Sequence, residues 1–180
     1  MAQHELIAAG FGGQGVMMLG KLFADSAVIE GDYAIFLPSY GPAMRGGTAN
    51  CTVITSEEEI ASPVLANPAN VVVFNFPSFT MFEKSVKKGG NLIVNSSLIK
   101  EKSARDDINV VYVPAQEIAE KAGMAKATNI VLLGALLKVT KSFDLETTKR
   151  AIKDYLGESK AKYLDVNIKA LEAGYNFDGQ

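Results

Sequence analysis

The glycine-rich stretch Gly10-Phe-Gly-Gly-Gln-Gly15 constrains the fold of this chain more than any other segment. It follows a short apolar run, residues 4–9, and precedes a longer apolar segment, residues 15–30. Four glycines in six positions are costly to order, so the turn needs a structural or functional reason. A buried strand, a glycine turn, a helix that ends at Gly31 and a second strand over residues 33–38 predict a βαβ unit in a parallel sheet.

The rest of the chain continues the α/β pattern. We expect strands over residues 48–55, 70–76, 91–97 and 108–114, and helices over residues 77–86, 116–123, 128–140, 142–157 and 163–176. Residues 48–55 alternate between apolar and polar, which indicates an antiparallel strand or one near an edge. The expected fold is α/β: a Rossmann-like, mostly parallel sheet flanked by helices, with a helical C-terminal section, forming a single domain over residues 1–180.

Composition excludes several classes of function. The net charge is −2 and no basic stripe is present, so a nucleic-acid partner is not expected. Cys51 is the only cysteine, which excludes an internal disulfide, an iron–sulfur cluster and a structural zinc site within this chain, and makes a reducing cytoplasm the expected location. Residues 129–139 are the most apolar run and are too short to cross a bilayer, and the start lacks a signal-peptide pattern.

The glycine turn has the spacing and context of a dinucleotide fingerprint. Glycines let a pyrophosphate approach the backbone, and the helix N-terminus offers free N–H groups and a partial positive charge. The fingerprint also requires an acidic residue at the end of the second strand, where this chain has Leu37, Pro38 and Ser39. The residues therefore indicate a phosphate-bearing ligand other than a nicotinamide dinucleotide, or a turn that needs glycine only for packing.

A second loop, residues 39–47, follows the second predicted strand. Because loops after parallel strands line the ligand crevice of doubly wound folds, we expect it beside the glycine turn. Arg45 is the only arginine in the first hundred residues. It could clamp a phosphate or a carboxylate in bidentate fashion, or form a subunit contact, and the sequence leaves both roles open.

Taken together, the two loops resemble a known family. The stretch GFGGQGV followed by PSYGPAMRGGTANC looks like the gamma subunit of the 2-oxoacid:ferredoxin oxidoreductases. The resemblance extends through SEEEIASP, NVVVFNFPSFTMFE and NIVLLGALL, and so covers the chain up to about residue 140. The Thr-Ala-Asn-Cys continuation is more similar to 2-oxoglutarate or branched-chain members than to pyruvate members.

The resemblance implies a division of labour between subunits. The family decarboxylates a 2-oxoacid on thiamine diphosphate, passes electrons singly through iron–sulfur clusters to ferredoxin, and transfers the acyl group to coenzyme A. The chain lacks a GDG…NN signature, so thiamine diphosphate, magnesium and the clusters are expected on partner subunits only. The gamma unit is associated with coenzyme A binding and assembly, and alone it is expected to be inactive. Whether coenzyme A touches this chain directly stays open.

The resemblance also implies site residues. It assigns no catalytic or metal-binding residue to this chain; the residues expected to bind the cofactor or a partner are Gly12, Gly13, Gln14, Gly15, Val16, Ser39, Tyr40, Gly41, Arg45, Gly46, Gly47 and Asn129. Asn129 is equally interpretable as a plain polar residue at a helix start. Cys51 is expected to be a small buried residue, and His4, the only histidine, lies too near the N-terminus to support a catalytic triad.

Two alternatives of other classes remain. One is a stand-alone, Rossmann-type NAD(P)-binding dehydrogenase, which would need a measurable affinity for the dinucleotide. The other is a structural adaptor whose glycine loops only pack against a neighbouring subunit.

Overall fold

The computed structural model describes residues 3–41 and 47–179. Its six strands are β1 (Gln3–Phe11), β2 (Tyr33–Tyr40), β3 (Thr48–Ser56), β4 (Asn70–Val73), β5 (Asn91–Asn95) and β6 (Asn109–Val113). Its α-helices are α1 (Val16–Glu30), α2 (Phe76–Phe82), α3 (Ala115–Ala122), α4 (Thr128–Thr140), α5 (Leu145–Leu156) and α6 (Leu164–Tyr175). The α/β class, the mostly parallel sheet and the helical C-terminal section are confirmed, and Gly31 ends α1 in a left-handed conformation as predicted.

The strand order is β2-β3-β1-β4-β5-β6. The pairs β1–β4, β4–β5 and β5–β6 are parallel, whereas β3 pairs antiparallel with both β1 and β2. The first and second strands therefore run in the same direction, as predicted, but they are not neighbours, because β3 returns between them. The alternation of β3 is confirmed from Thr48 to Val53: Ala49, Cys51 and Val53 are buried, after which residues 54–56 are all buried. Cys51 and Val53 belong to the larger core cluster.

Several strand ends differ from the prediction, and two of these differences have a clear physical reason. We predicted that Pro38 ends the second strand, but β2 continues to Tyr40, with Pro38 in register with Cys51. The edge position of β2 explains this, because an edge strand tolerates the missing N–H of proline. The strand predicted over residues 70–76 ends at Val73, because the Asn75 side chain accepts a hydrogen bond from the Ser78 N–H (3.0 Å) and begins α2.

Helices cover the two faces of the sheet unequally. The larger core cluster lies on the face where α1 and α4 pack, and α5 and α6 pack over these helices. Residues Asn129–Leu137 of α4 are all buried, which confirms the predicted interior helix. The smaller cluster, on the opposite face, includes Phe79 of α2. In the part of the chain that the structure describes, no helix is both long and apolar enough to cross a membrane.

An asparagine ladder aligns the parallel half of the sheet. Asn70, Asn91 and Asn109 begin β4, β5 and β6 and are in register. The Asn91 amide donates to the Asn70 side-chain oxygen (2.8 Å), and the Asn109 amide donates to that of Asn91 (3.0 Å). The shared register brings the carboxyl ends of these strands together at the opposite edge, beside the glycine turn.

Candidate functional site

Two adjoining clefts open at the carboxyl ends of the parallel strands. The first, of about 290 Å³, is here called the sheet-side cleft, and the second, of about 310 Å³, the helix-side cleft. Both include Gly13, Gln14 and Lys126. The sheet-side cleft is completed by Phe74, Asn95, Leu98, Gln116 and Thr128. The helix-side cleft is completed by Gly15, Met18, Met124, Asn129, Leu156, Tyr163 and Asn167.

Two glycines of the turn have different reasons to be glycine. Gly13 and Gly15 have φ angles of 94° and 82°, which disfavour any residue with a side chain. A Cβ at Gly13 would meet no atom within 4 Å, so this backbone faces open space in the clefts. A Cβ at Gly15 would lie 2.5 Å from Nδ2 of Asn129, so Gly15 is required for packing. Packing therefore explains the glycine at position 15, whereas no packing contact explains the glycine at position 13.

The side chain of Gln14 holds the turn in place. Its Oε1 accepts hydrogen bonds from the Phe11 backbone N–H (2.7 Å) and from the Asn75 side-chain amide (3.0 Å). These bonds link β1 to the start of α2. Because both partners are donors, Oε1 is the atom that faces them.

Replacing Gln14 tests this clamp. Gln14→Leu should lower the free energy of unfolding by about 2 kcal/mol, because two partly buried donors lose their acceptor. Gln14→Glu keeps both acceptor positions and should stay close to wild type. Chemical denaturation of the three proteins measures the difference, and equal losses in both variants would contradict the clamp.

The electrostatics of the clefts favour an anion. Gly15 is the N-cap of α1, and the first helical bond runs from the Leu19 N–H to the Gly15 carbonyl (3.0 Å). Among described residues no side chain caps this end, and the first turn carries no acidic residue. Its N–H groups therefore keep their partial positive charge. Lys126 adds a full charge, and the described residues that line the clefts include no carboxylate.

The second loop reaches the turn through its backbone. The Gly12 N–H donates to the Gly47 carbonyl (3.0 Å), so the two loops lie side by side as predicted. The Gly41 N–H donates to Thr48, which closes the base of the β2–β3 hairpin. Ser39 and Tyr40 are exposed on β2 and, with Gly41 and Gly47, are not among the residues that line the two clefts. Arg45 and Gly46 lie outside the described residues.

The other predicted site residues lie at the helix starts. Gly12, Gly13, Gln14, Gly15 and Val16 form one turn, with Val16 buried as the first residue of α1. Asn129 joins them, because its side-chain amide donates to the Gly15 carbonyl (3.2 Å). This contact connects residues that are 114 positions apart.

Sequence reasoning missed five residues with polar or charged side chains that line the clefts: Lys126, Asn95, Gln116, Thr128 and Asn167. A signal was available for Lys126, because it is a basic residue directly before a predicted buried helix. Asn95 ends a parallel strand, the usual position of ligand-binding residues in this class of sheet. Nothing local distinguishes Asn167 from other asparagines on amphipathic helices.

Neither Cys51 nor His4 lines the two clefts. Cys51 is fully buried, as predicted, and burial raises the pKa of its thiol to about 12, which makes it a poor nucleophile. His4 is half-buried at the far end of β1, where its ring makes an edge contact with Phe143, and burial lowers its pKa. Within residues 3–41 and 47–179, no three candidate metal ligands come together.

Sequence comparison finds similar proteins over nearly the whole chain. Residues 5–177 match the family described as pyruvate ferredoxin/flavodoxin oxidoreductase. The ketoisovalerate oxidoreductase subunit VorA of Methanothermobacter marburgensis is 37% identical over 92% of this chain, and the match covers 34% of VorA. The 2-oxoglutarate synthase subunit KorC of the same organism is 33% identical over 96% of this chain and 95% of its own length. The chain thus spans about a third of VorA but nearly all of KorC.

Solved structures share the fold. The gamma subunit of keto/oxoacid ferredoxin oxidoreductase from Geobacter sulfurreducens superposes with a TM-score of 0.85 at 25% identity, covering 97% of this chain and 95% of its own. The 2-oxoglutarate:ferredoxin oxidoreductase from Magnetococcus marinus, with 2-oxoglutarate, coenzyme A and succinyl-CoA bound, has a TM-score of 0.87 at 20% identity. That match covers 97% of this chain and 30% of the Magnetococcus chain, and it shows the fold alone.

Proposed function

This chain belongs to the pyruvate ferredoxin/flavodoxin oxidoreductase family as a gamma-type subunit, and from this membership we propose that it binds coenzyme A for a 2-oxoacid:ferredoxin oxidoreductase. The complex converts a 2-oxoacid and coenzyme A to an acyl-CoA and carbon dioxide, and ferredoxin takes up the electrons. The observation that carries the proposal is the uncapped N-terminus of α1 beside Lys126, at the junction of two clefts lined by no described carboxylate.

Coenzyme A fits these residues by its chemistry. Its pyrophosphate requires bare backbone, free N–H groups and positive charge, which Gly13, the first turn of α1 and Lys126 supply. It carries no nicotinamide ribose, so no acidic residue is needed at the end of β2. The Magnetococcus relative contains bound coenzyme A, which supports the same ligand class here.

The remaining chemistry belongs to partner subunits. We assign the iron–sulfur clusters to those subunits because this chain has one cysteine and a cluster needs several. We assign thiamine diphosphate and its magnesium to them because this chain lacks the GDG…NN signature. In VorA the matching region is about a third of a longer chain, which supports a close physical association with the rest of such an enzyme. The ketoisovalerate and 2-oxoglutarate relatives support a branched-chain 2-oxoacid or 2-oxoglutarate as the substrate.

We propose that the second loop, residues 39–47, either forms one wall of the same site or contacts another subunit. Ser39, Tyr40, Gly41 and Gly47 lie outside the two clefts, so they suit a contact that a partner completes. The proposed phosphate-clamp role of Arg45, and a role of Gly46 beside it, rest on the sequence resemblance.

A matched pair of glycine variants tests coenzyme A binding. Gly13 and Gly31 both have φ of 94°, and a Cβ at either would meet no atom within 4 Å. Gly13→Ala and Gly31→Ala should therefore lose similar stability, about 1 to 2 kcal/mol. Only Gly13→Ala places a methyl group in the clefts, so it alone should weaken coenzyme A binding, by tenfold or more. Calorimetric titration of the full chain, and of the complex where it co-purifies, measures the affinity.

The outcomes separate the competing functions. Equal coenzyme A affinity in both glycine variants would contradict the proposed site. If Gly13→Ala keeps its affinity but no longer co-purifies with partner subunits, the adaptor alternative is correct; the inward hydrogen bonds of Gln14 favour that alternative. The dehydrogenase alternative is opposed by the topology, because antiparallel β3 separates the end of β2 from the glycine turn.

A further inference from the structure

We propose that Asn75 is a positioning residue for coenzyme A binding, which acts through the side chain of Gln14 to fix the glycine turn in the conformation that presents Gly13 to the ligand. The inference rests on the proposed function. It adds a residue that lies 61 positions from Gln14, at the start of α2, and that is not among the residues lining the two clefts.

A chain of hydrogen bonds joins the turn to α2, and its direction is fixed at both ends. The Phe11 N–H donates to Oε1 of Gln14 (2.7 Å), and the Asn75 amide nitrogen donates to the same oxygen (3.0 Å). At the other end, the Ser78 N–H donates to Oδ1 of Asn75 (3.0 Å). Because a backbone N–H can only donate, neither side-chain amide can turn over without losing both of its bonds. The chain therefore has a single arrangement.

The segment from Phe11 to Gln14 is closed by two bonds. The Gln14 N–H donates to the Phe11 carbonyl (3.2 Å), and the Phe11 N–H donates back to the Gln14 side chain. Gly13 lies inside this closed segment, with φ of 94°, and lines both clefts. The orientation of the Gly13 backbone therefore depends on where the side chain of Gln14 is held.

Gly10 leaves the space in which the Gln14 amide sits. A Cβ at Gly10 would lie 2.6 Å from Oε1 of Gln14, and 2.8 and 2.9 Å from side-chain carbons of Phe74 and Val16. The side chain of Gln14 is thus folded inward over the first glycine of the motif. In that position it holds the turn from behind, and Asn75 holds it there.

Helix capping alone does not explain why residue 75 is an asparagine. Aspartate would cap α2 as well, but its carboxylate has no hydrogen to donate to Gln14. Serine and threonine cap helices too, but each offers one side-chain oxygen in place of an oxygen and a nitrogen. Asn75 is 5% exposed, so water does not readily replace a lost bond. An amide meets both requirements with two separate atoms.

Asn75→Asp separates the two roles, because it keeps the capping oxygen and removes the donor to Gln14. At neutral pH we expect coenzyme A to bind at least tenfold more weakly to this variant than to wild type. Lowering the pH should narrow that ratio, because a protonated carboxyl can donate to Oε1 in place of the amide. Burial raises the pKa of an introduced carboxyl, so the rescue is expected between about pH 8 and pH 5. Calorimetric titration at each pH, on the full chain and on the complex where it co-purifies, measures the ratio.

Asn70→Asp is the matched control. Asn70 is also 5% exposed and also uses both ends of its amide, donating to the Glu5 carbonyl (2.9 Å) and accepting from Asn91 (2.8 Å). It begins β4, whereas Asn75 follows the end of that strand. We expect both variants to lose stability, and only Asn75→Asp to show the weaker binding with rescue at low pH. If Asn75→Asp does not fold, Asn75→Ser replaces it in the comparison of affinities.

Hydrogen exchange provides a readout that needs no ligand. The protection factor of the Phe11 amide should fall at least tenfold in Asn75→Asp at neutral pH and stay near the wild-type value in Asn70→Asp. Equal protection of Phe11 in the two variants would overturn the inference.

The binding results separate this inference from the proposed function. If coenzyme A binds wild type, but binds Asn75→Asp equally well or with a pH-independent deficit, the positioning role is overturned while the proposed function stands. If coenzyme A binds neither the wild-type chain nor its complex, the proposed function is overturned, and the positioning role for this ligand with it.

Discussion

Gly174→Ala should lower the free energy of unfolding by about 3 kcal/mol or more, although alanine is the better helix former. A Cβ at Gly174 of α6 would lie 2.0 Å from the Val131 carbonyl oxygen of α4, and one at Gly134 of α4 would lie 2.2 Å from that of Leu171. The neighbouring atoms are backbone, so no side chain can rotate away. The two helices would have to separate, and α4 is the buried helix that carries Asn129.

Thermal unfolding measures this effect as a fall in Tm of about 6 to 12 °C for a chain of this size. Gly134→Ala should produce a similar loss, and the double variant should lose less than the sum, because one helix displacement accommodates both methyl groups. Gly31→Ala adds a methyl group in open space and should lose only the roughly 1 to 2 kcal/mol that its positive φ costs. A Gly174→Ala protein as stable as wild type would contradict this packing.

Gly20→Ala should also destabilise the protein, by about 1 to 3 kcal/mol, and Cys51→Ala should largely rescue it. A Cβ at Gly20 in α1 would lie 2.3 Å from the Cys51 sulfur, whereas its contacts with Phe36 and Val53 would be 3.1 and 3.3 Å. The sulfur is therefore the main obstacle. Removing it leaves room for the new methyl group in the same place.

A double-mutant cycle by chemical denaturation checks the rescue. We expect the double variant to be more stable than the sum of the single losses predicts, by about 1 kcal/mol or more. If the stability losses of Gly20→Ala and Cys51→Ala simply add, the contact with the Cys51 sulfur is not the cause of the Gly20→Ala loss. A rescue would assign Cys51 a packing role, in agreement with its burial and its raised pKa of about 12.

Much of the local structure was predictable because its causes are local. The alternation of Ala49, Cys51 and Val53 identified β3, and the apolar run after Thr128 identified the interior helix. Gly31 and Gly157 ended α1 and α5 where predicted, because their positive φ angles (94° and 60°) favour glycine. The glycine turn and the start of α1 were likewise contained in a few consecutive residues.

Long-range contacts were less predictable. The insertion of β3 between β1 and β2 depends on the hairpin after β2, and its pairing with β1 is set by the whole sheet. The continuation of β2 past Pro38 depends on its edge position, which the sequence does not state. Asn75 was assigned to a strand although its N-cap bond with Ser78 is local, whereas its bond with Gln14 forms only once α2 packs beside the glycine turn.

The sequence by itself determined the fold class, the glycine turn at the start of α1 and the family resemblance, because each is encoded in short patterns of hydrophobicity, glycine and loop residues. Only the tertiary structure brought Lys126, Asn129 and Asn167 to that turn. It also separated the role of Gly15, which packs against Asn129, from that of Gly13, which faces open space. The physical reason is that a backbone angle is a local property, whereas a cleft is formed by side chains that are far apart in the chain.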